Sequence, residues 1–224
     1  MDMDSRLLDR VGGIAGILFA VLIVAGVMVS NTPDSSAQPA KWVQYYSSSG
    51  HRAQVIVCGY LWVLAGVAVI VLVAVARKRF GNRSGASQVF ATTAGIAAII
   101  FSGILIVAGV AIASVAGNVA FGGANVPANG DLINELTGFG FALLVLGGGL
   151  TAAVALGSVS MVIVRDGGPR WLGVLGFVAA ALCLVGVLFF PMIALPVWVL
   201  VASIALLARR STDTVQAPTA ARAT

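Results

Sequence analysis

The sequence has little charge, a single histidine, a single glutamate and two cysteines. Only 9% of its 224 residues are charged and 59% are hydrophobic, whereas a soluble domain carries about 25% charged residues. A chain this apolar satisfies its backbone polar groups in lipid, as helices or as a closed barrel. The apolar residues form continuous runs instead of the alternation typical of barrel strands. The composition therefore predicts an all-α, polytopic membrane protein.

The scarcity of reactive residues excludes several chemistries. No charged residue lies inside the long apolar runs, although buried charges mark the proton and ion pathways of membrane proteins. One histidine and two separated cysteines do not make a typical zinc site. Hydrolase, metalloprotease and phosphate-loop motifs are also missing. We therefore expect no enzyme activity, no metal and no cofactor.

The basic residues border the apolar runs, so the net charge of +5 is read as a topology signal and not as a nucleic-acid surface.

The apolar runs predict six transmembrane helices. The last run, 171–208, has 38 residues without a charge. As one helix it would extend about 57 Å, beyond a hydrocarbon core of about 30 Å. Proline at 191 breaks a helix, so we expect a tight turn around Phe190–Met192. The predicted spans, within a transmembrane domain of residues 1–210, are 11–30, 53–76, 89–116, 136–164, 171–190 and 192–208.

The basic residues predict the orientation of these spans. With both termini in the cytoplasm, eleven of them face inward and two, Lys41 and Arg52, face outward, as the positive-inside rule requires. The inward residues are Arg6, Arg10, Arg77, Lys78, Arg79, Arg83, Arg165, Arg170, Arg209, Arg210 and Arg222. We expect a multi-pass protein of the cell (plasma) membrane. A cleaved signal peptide is the alternative for the first run, which is longer than a typical signal core.

Two segments lie outside the spans. The outer loop 31–51 contains Trp42, Tyr45 and Tyr46 at helical spacing between Pro39 and Gly50. This pattern predicts a short helix whose aromatic face lies at the level of the lipid headgroups; a lid over an outward cavity is the alternative. The tail 211–224 is rich in Thr, Ala, Ser and Pro and has no apolar face, which predicts disorder.

Glycine is abundant in the predicted spans. Gly12, Gly16, Gly109 and Gly149 stand four residues before or after another Gly or Ala, a spacing that lets helix backbones approach closely. We expect these four glycines at helix–helix contacts. The run Gly147–Gly149 has a second interpretation as a hinge in a moving helix, because glycine weakens helices.

Four ionisable residues form a candidate outer-surface charge cluster. His51 and Arg52 enter the second span, and Asp131 and Glu135 enter the fourth. Acids suit the N-terminal end of a helix, so solvated helix-end charges are the simplest interpretation. The alternative is an Arg52–Glu135 pair that braces the helix ends or lines a small cavity.

Three segments also carry a family resemblance. Arg10-Val-Gly-Gly-Ile-Ala-Gly16 opens the first span, the aromatic loop segment Trp42–Tyr46 follows, and Pro169-Arg-Trp-Leu-Gly-Val-Leu-Gly176 opens the fifth. Together they resemble a family of six-helix bacterial membrane proteins of unknown function that is common in actinobacteria. The resemblance implies the six-helix topology and says nothing about sites.

These observations predict an integral membrane protein with a structural, regulatory or partner-binding role. Membrane lipids are the expected partners, and self-association or a partner subunit stays open. The alternative function is a permease or channel for a small neutral or amphipathic solute. A tightly packed interior favours the first function, and a polar-lined cavity open to one side favours the second.

Overall fold

The computed structural model describes residues 3–80, 84–185 and 193–213. Regular secondary structure in these residues is entirely helical, which confirms the all-α fold class. A π-helical segment, Leu143–Gly148, joins the fifth helix to the sixth without a break. The helices are α1 Met3–Val29, α2 Pro39–Ser47, α3 Ser49–Phe80, α4 Ala86–Phe121, α5 Gly130–Ala142, α6 Gly149–Arg165, α7 Arg170–Leu184 and α8 Ala194–Asp213.

Four helices in the described residues are long and apolar enough to cross a membrane, not the six that were predicted. They are Arg10–Val29, Ser49–Lys78, Ala86–Phe121 and the continuous helix Gly130–Arg165. The other two apolar helices, Arg170–Leu184 and Ala194–Ala205, are shorter. α7 has 15 residues, about 22 Å, against a hydrocarbon core of about 30 Å.

The break between α7 and α8 explains their shortness. α7 ends at Leu184, and α8 begins at Ala194. Pro196 falls in the first turn of α8, where the missing N–H of proline has no helical partner to lose. The predicted turn Phe190–Met192 lies outside the described residues.

Several helices extend past the predicted limits. α4 continues to Phe121, and the fourth span begins at Gly130 instead of 136. An α-helix makes its hydrogen bonds within its own backbone, so it can continue beyond the apolar run that defines a span. The Asn129 side chain starts α5 by accepting hydrogen bonds from the backbone N–H groups of Asp131 and Leu132 at 3.0 and 3.4 Å. α8 includes residues 211–213, so the first part of the predicted disordered tail is helical. Residues 214–224 lie outside the described residues.

The spanning and shorter helices pack as a closed ring. Going around it, α1 contacts α3, α3 contacts α4, α4 contacts α6, α6 contacts α7, α7 contacts α8, and α8 returns to α1. Phe19 of α1 and Phe101 of α4 meet edge to face inside this ring, with ring centroids 6.2 Å apart. The ring therefore encloses a packed apolar interior.

Three helices project beyond the end of α1. The Trp62 side chain of α3 lies against Gly26 of α1, so the two residues are at the same height. α1 ends only three residues after Gly26, whereas α3 begins thirteen residues before Trp62. The difference of about ten residues corresponds to about 15 Å. α4 and α5 project similarly, since Gly109 of α4 lies against Gly59 of α3 and Gly140 of α5 lies against Ile112 of α4. α2 packs against α5 and α3. We call residues 31–58 and 110–142 the headpiece.

Candidate functional site in the headpiece

The aromatic face of α2 is buried in protein. A helix runs from Pro39 to Ser47 with proline in its first turn. Trp42, Tyr45 and Tyr46 have only 3%, 9% and 0% of their surface exposed. We expected these rings at the lipid headgroups, and that placement is wrong. Because α3, α4 and α5 project beyond α1, they present a protein surface that the rings cover instead.

A buried hydrogen bond joins α2 to α5. The hydroxyl oxygens of Tyr46 and Thr137 lie 3.1 Å apart. Thr137 donates to the Ile133 carbonyl at 2.9 Å, so its oxygen accepts from Tyr46. Sequence reasoning missed Thr137. The signal was available, since Thr137 stands one helical turn after the apolar Ile133 and therefore shares its face.

Arg52 attaches α2 to α3. Its Nη1 donates to the Tyr46 carbonyl at 2.7 Å and to the Ser47 carbonyl at 2.9 Å. These carbonyls end α2, where the helix dipole favours a cation. The neighbouring His51 ring stacks on the Tyr45 ring, with centroids 4.3 Å apart and planes 3° apart. Both basic residues of the predicted charge cluster therefore contact α2.

The two acids of that cluster face solvent. Asp131 and Glu135 are exposed on the first turns of α5. Within the described residues no ion pair joins Glu135 to Arg52, whose Nη1 is instead bonded to the end of α2. Nearby, the Asn134 side chain donates to the Ser35 carbonyl at 2.9 Å. α5 thus holds the loop before α2 through an uncharged contact.

Buried polar atoms without a partner are concentrated beneath α2. Five of the six such side-chain atoms among the described residues belong to α2 or to the first half of α3: Trp42 Nε1, Tyr45 Oη, His51 Nδ1, Arg52 Nε and Trp62 Nε1. A cavity of about 160 Å³ adjoins one of them, the Trp62 indole, and is lined by Val27, Ser30, Trp62 and Phe141. It is small and mainly apolar, with the Ser30 hydroxyl and the indole as its polar groups.

Burial keeps the two headpiece tyrosines neutral. Burial raises the pKa of Tyr45, and its neighbours Tyr46 and Cys58 add to the increase. Burial also raises the pKa of Tyr46, partly opposed by its hydrogen bond with Thr137. Neither phenol is therefore activated as a base. In the part of the chain that the structure describes, no three His, Cys, Asp or Glu side chains come together as a metal site.

The predicted packing glycines all lie at helix–helix contacts. A Cβ atom on Gly12 would stand 3.0 Å from Val75 of α3, and one on Gly16 would overlap Ser203 of α8. A Cβ on Gly109 would stand 2.6 Å from the Gly59 carbonyl oxygen of α3. A Cβ on Gly149 would stand 2.9 Å from the Cys183 carbonyl oxygen of α7. Gly109 and Gly149 thus let two backbones approach each other, whereas Gly12 and Gly16 make room for the side chains of Val75 and Ser203.

No protein family, curated protein or solved structure matches this chain. The resemblance to six-helix actinobacterial membrane proteins therefore stays a prediction.

Proposed function

We propose that this chain is a non-enzymatic integral membrane protein whose headpiece binds a partner outside the membrane. The observation that carries the proposal is the attachment of α2 to the projecting helix ends. Tyr46, Arg52 and Asn134 each bind a different element, which holds the headpiece as one rigid surface. A rigid surface suits partner binding, because little conformational freedom is lost on association.

The position of the headpiece relative to the membrane follows from α1. Its apolar part, Arg10–Val29, has 20 residues, which extend about 30 Å and match the hydrocarbon core. Tyr60 and Trp171 are 63% and 52% exposed at opposite ends of this layer, where amphipathic rings are enriched. The headpiece then lies beyond the hydrocarbon.

The finer topology is also part of the proposal. Both termini and the basic loops face the cytoplasm of a cell membrane, and the headpiece faces outward. In this proposal α7 and α8 are the fifth and sixth passes. The closed ring supports this count, because α8 lies against α1 along Gly13 and Gly16 and must share its depth.

The packed interior favours partner binding over transport. Trp62 and Leu105 are 1% and 0% exposed, and α3 and α4 touch through Gly59 and Gly109. A cavity of about 370 Å³ in the described residues is an apolar groove on the outer face of α1 and α3. A solute carrier would use a polar-lined cavity between its helices.

One observation favours the permease or channel as the second candidate. The fourth span contains the π-helical segment Leu143–Gly148, and such segments occur frequently at functional sites. Thr151 donates to the Gly147 carbonyl there at 2.8 Å, which partly satisfies the altered backbone. The segment would serve as the hinge of a moving helix.

Site-specific photocrosslinking in intact cells tests partner binding. A photoreactive residue replaces Glu135 or Gln54, both exposed in the headpiece, and Val107, 53% exposed on α4, is the lipid-facing control. We expect a discrete protein adduct at one or both headpiece positions and none at Val107. Crosslinking to lipid alone at all three positions contradicts the proposal.

Proteoliposome swelling separates the second candidate from the first. Purified protein is reconstituted, and the entry of neutral solutes of increasing size is compared with entry into protein-free vesicles. We expect equal rates. Faster entry that disappears when Gly147 is replaced by leucine would establish the permease instead.

A further inference from the structure

An apolar groove follows the outer face of α1 and α3. It has a volume of about 370 Å³ and almost no polar lining. Ala15 and Ala68 form its floor and are 6% and 5% exposed. Ile14, Leu18 and Val67 rise beside them as walls, 62%, 48% and 46% exposed. Two small side chains between larger ones therefore create a channel along the helices.

The groove has the direction and length of a lipid acyl chain. Its α1 lining extends from Val11 to Leu22, which is about 17 Å along a helix. α1 and α3 run side by side in opposite directions, so the groove follows the spanning direction. That distance is roughly the depth of one leaflet of a 30 Å hydrocarbon core.

Basic side chains stand at one end of the groove. Val11 follows Arg10 directly, and Gly12 lies against Val75, two residues before Arg77. Arg10, Arg77 and Lys78 are all exposed. The sequence contains no acidic residue between 53 and 130, although Asp9 adjoins Arg10. The positive charge at this end therefore comes mainly from α3.

We propose that this groove binds one anionic phospholipid, with an acyl chain between α1 and α3 and its phosphate at Arg77, Lys78 and Arg10. Basic sites between spanning helices bind anionic headgroups, and each basic side chain near the membrane surface contributes about 1 kcal/mol. The apolar groove binds the acyl chain of the lipid, and the basic side chains bind its anionic headgroup. The site is separate from the headpiece, and the proposal does not depend on partner binding there.

The test measures phospholipid binding to the full-length protein in detergent by native mass spectrometry. Phosphatidylglycerol is compared with phosphatidylcholine of identical acyl chains. We expect one preferentially retained phosphatidylglycerol per chain. In the double variant Arg77→Gln/Lys78→Gln, affinity should fall at least tenfold, since each basic side chain is worth about fivefold. Equal retention of the two lipids, or an unchanged affinity in the variant, overturns the proposal.

A matched charge control addresses non-specific attraction. Arg165→Gln/Arg170→Gln removes the same charge from the ends of α6 and α7, which do not line the groove. We expect less than a twofold change in phosphatidylglycerol affinity. A loss as large as that of the α3 variant would show that overall charge, and not this site, attracts the lipid.

The role of the groove is tested separately. Ala68→Leu fills the floor, and Ala181→Leu, on an exposed position of α7, is the control. We expect weaker lipid binding only in Ala68→Leu.

If that variant does not fold, a competition experiment on the unmodified protein decides whether the acyl chain occupies the groove. Single-chain lysophosphatidylglycerol should displace the bound lipid, and glycerol phosphate should not. If glycerol phosphate displaced the lipid at concentrations similar to those of lysophosphatidylglycerol, the groove would not be the binding site of the acyl chain.

Discussion

At the residue scale, Arg52 illustrates how a charge can be used without an ionic partner. Its guanidinium binds two carbonyls at the end of α2, and hydrogen bonds that involve a charged group are stronger than neutral ones. Sequence reasoning offered Glu135 as its partner. The exposed position of Glu135 leaves that acid in water, where a surface ion pair would contribute about 0–1 kcal/mol.

Replacing Arg52 tests this assignment. Arg52→Gln should lower the free energy of unfolding by about 1–2 kcal/mol, because it removes charged hydrogen bonds from a half-buried site. Glu135→Gln should have an effect near zero. Unfolding in mixed detergent micelles, measured for each single variant and for the double variant, gives the coupling energy. A coupling above about 1 kcal/mol would mean that the two side chains interact after all.

Tyr46 allows a subtler substitution. Tyr46→Phe removes only the hydroxyl that bonds Thr137 at 3.1 Å and should reduce stability by about 1 kcal/mol. Thr137 keeps its bond to Ile133, so no buried hydroxyl is left without a partner. Tyr60→Phe is the control, since Tyr60 is 63% exposed. Equal thermal stability in Tyr46→Phe and Tyr60→Phe would contradict the assignment.

The same two headpiece tyrosines predict an alkaline limit to stability. Burial raises the pKa of Tyr45 and Tyr46 above the ordinary value of 10.0. The contribution of the two tyrosines to the free energy of unfolding is therefore complete below pH 10.0. It is lost as the pH rises through their higher pKa in the folded protein. The stability of the headpiece should therefore begin to fall above pH 10.0. Tyr45→Phe/Tyr46→Phe should remove this pH dependence, and a persistent alkaline transition would assign it to other groups.

At the element scale, close backbone contact holds α3 against α4. Gly59 and Gly109 each lack the Cβ atom that would strike the carbonyl oxygen of the other. Helices in lipid gain little from burying apolar surface against one another, so close van der Waals packing decides which faces meet. The glycine pattern in the sequence pointed to Gly109, while Gly59 and the contact between the two glycines required the structure.

Gly109→Leu tests this contact, and Gly103→Leu on the same helix is its control. A Cβ at Gly109 would stand 2.6 Å from the Gly59 oxygen, whereas one at Gly103 would meet nothing within 4 Å. Overpacking typically costs about 1–3 kcal/mol, so Gly109→Leu should melt lower. Gly103→Leu should be neutral or stabilising, because glycine weakens helices. Similar melting temperatures for both variants would show that α3 and α4 do not touch there.

At the scale of the whole molecule, the ring and headpiece together define an asymmetric protein. One end carries the exposed cations Arg10, Arg77 and Lys78, and the other carries the headpiece with the exposed acids Asp131 and Glu135. On the positive-inside rule, we propose that the first end faces the cytoplasm. Both native cysteines are buried, which leaves a low background for thiol labelling.

Cysteine labelling in intact cells tests the orientation. Glu135→Cys should react with a membrane-impermeant maleimide, because the proposed orientation puts the headpiece outside the cell. Ser84→Cys, between α3 and α4, should react only after the membrane is permeabilised. The reversed pattern would overturn the topology, and reaction of both from outside would show that α3 does not cross the membrane.

Local sequence signals determined the helical class, four of the six predicted spans and the placement of the predicted glycines at helix contacts. Each depends on composition or on periodicity along one helix, since lipid requires every backbone polar group to be bonded within its own segment. Pro39 likewise predicted the position of α2, because proline favours the first turn of a helix whatever the helix later packs against.

Only the tertiary structure decided what those segments contact. The aromatic face of α2 has the same spacing whether it meets lipid headgroups or protein. It is buried because α3, α4 and α5 project about 15 Å beyond α1, a difference in relative height that no single segment encodes. The partners Thr137 for Tyr46 and the α2 carbonyls for Arg52 follow from that height difference. Contacts between distant segments depend on the packing of the whole ring, and so they appear only once the helices are assembled.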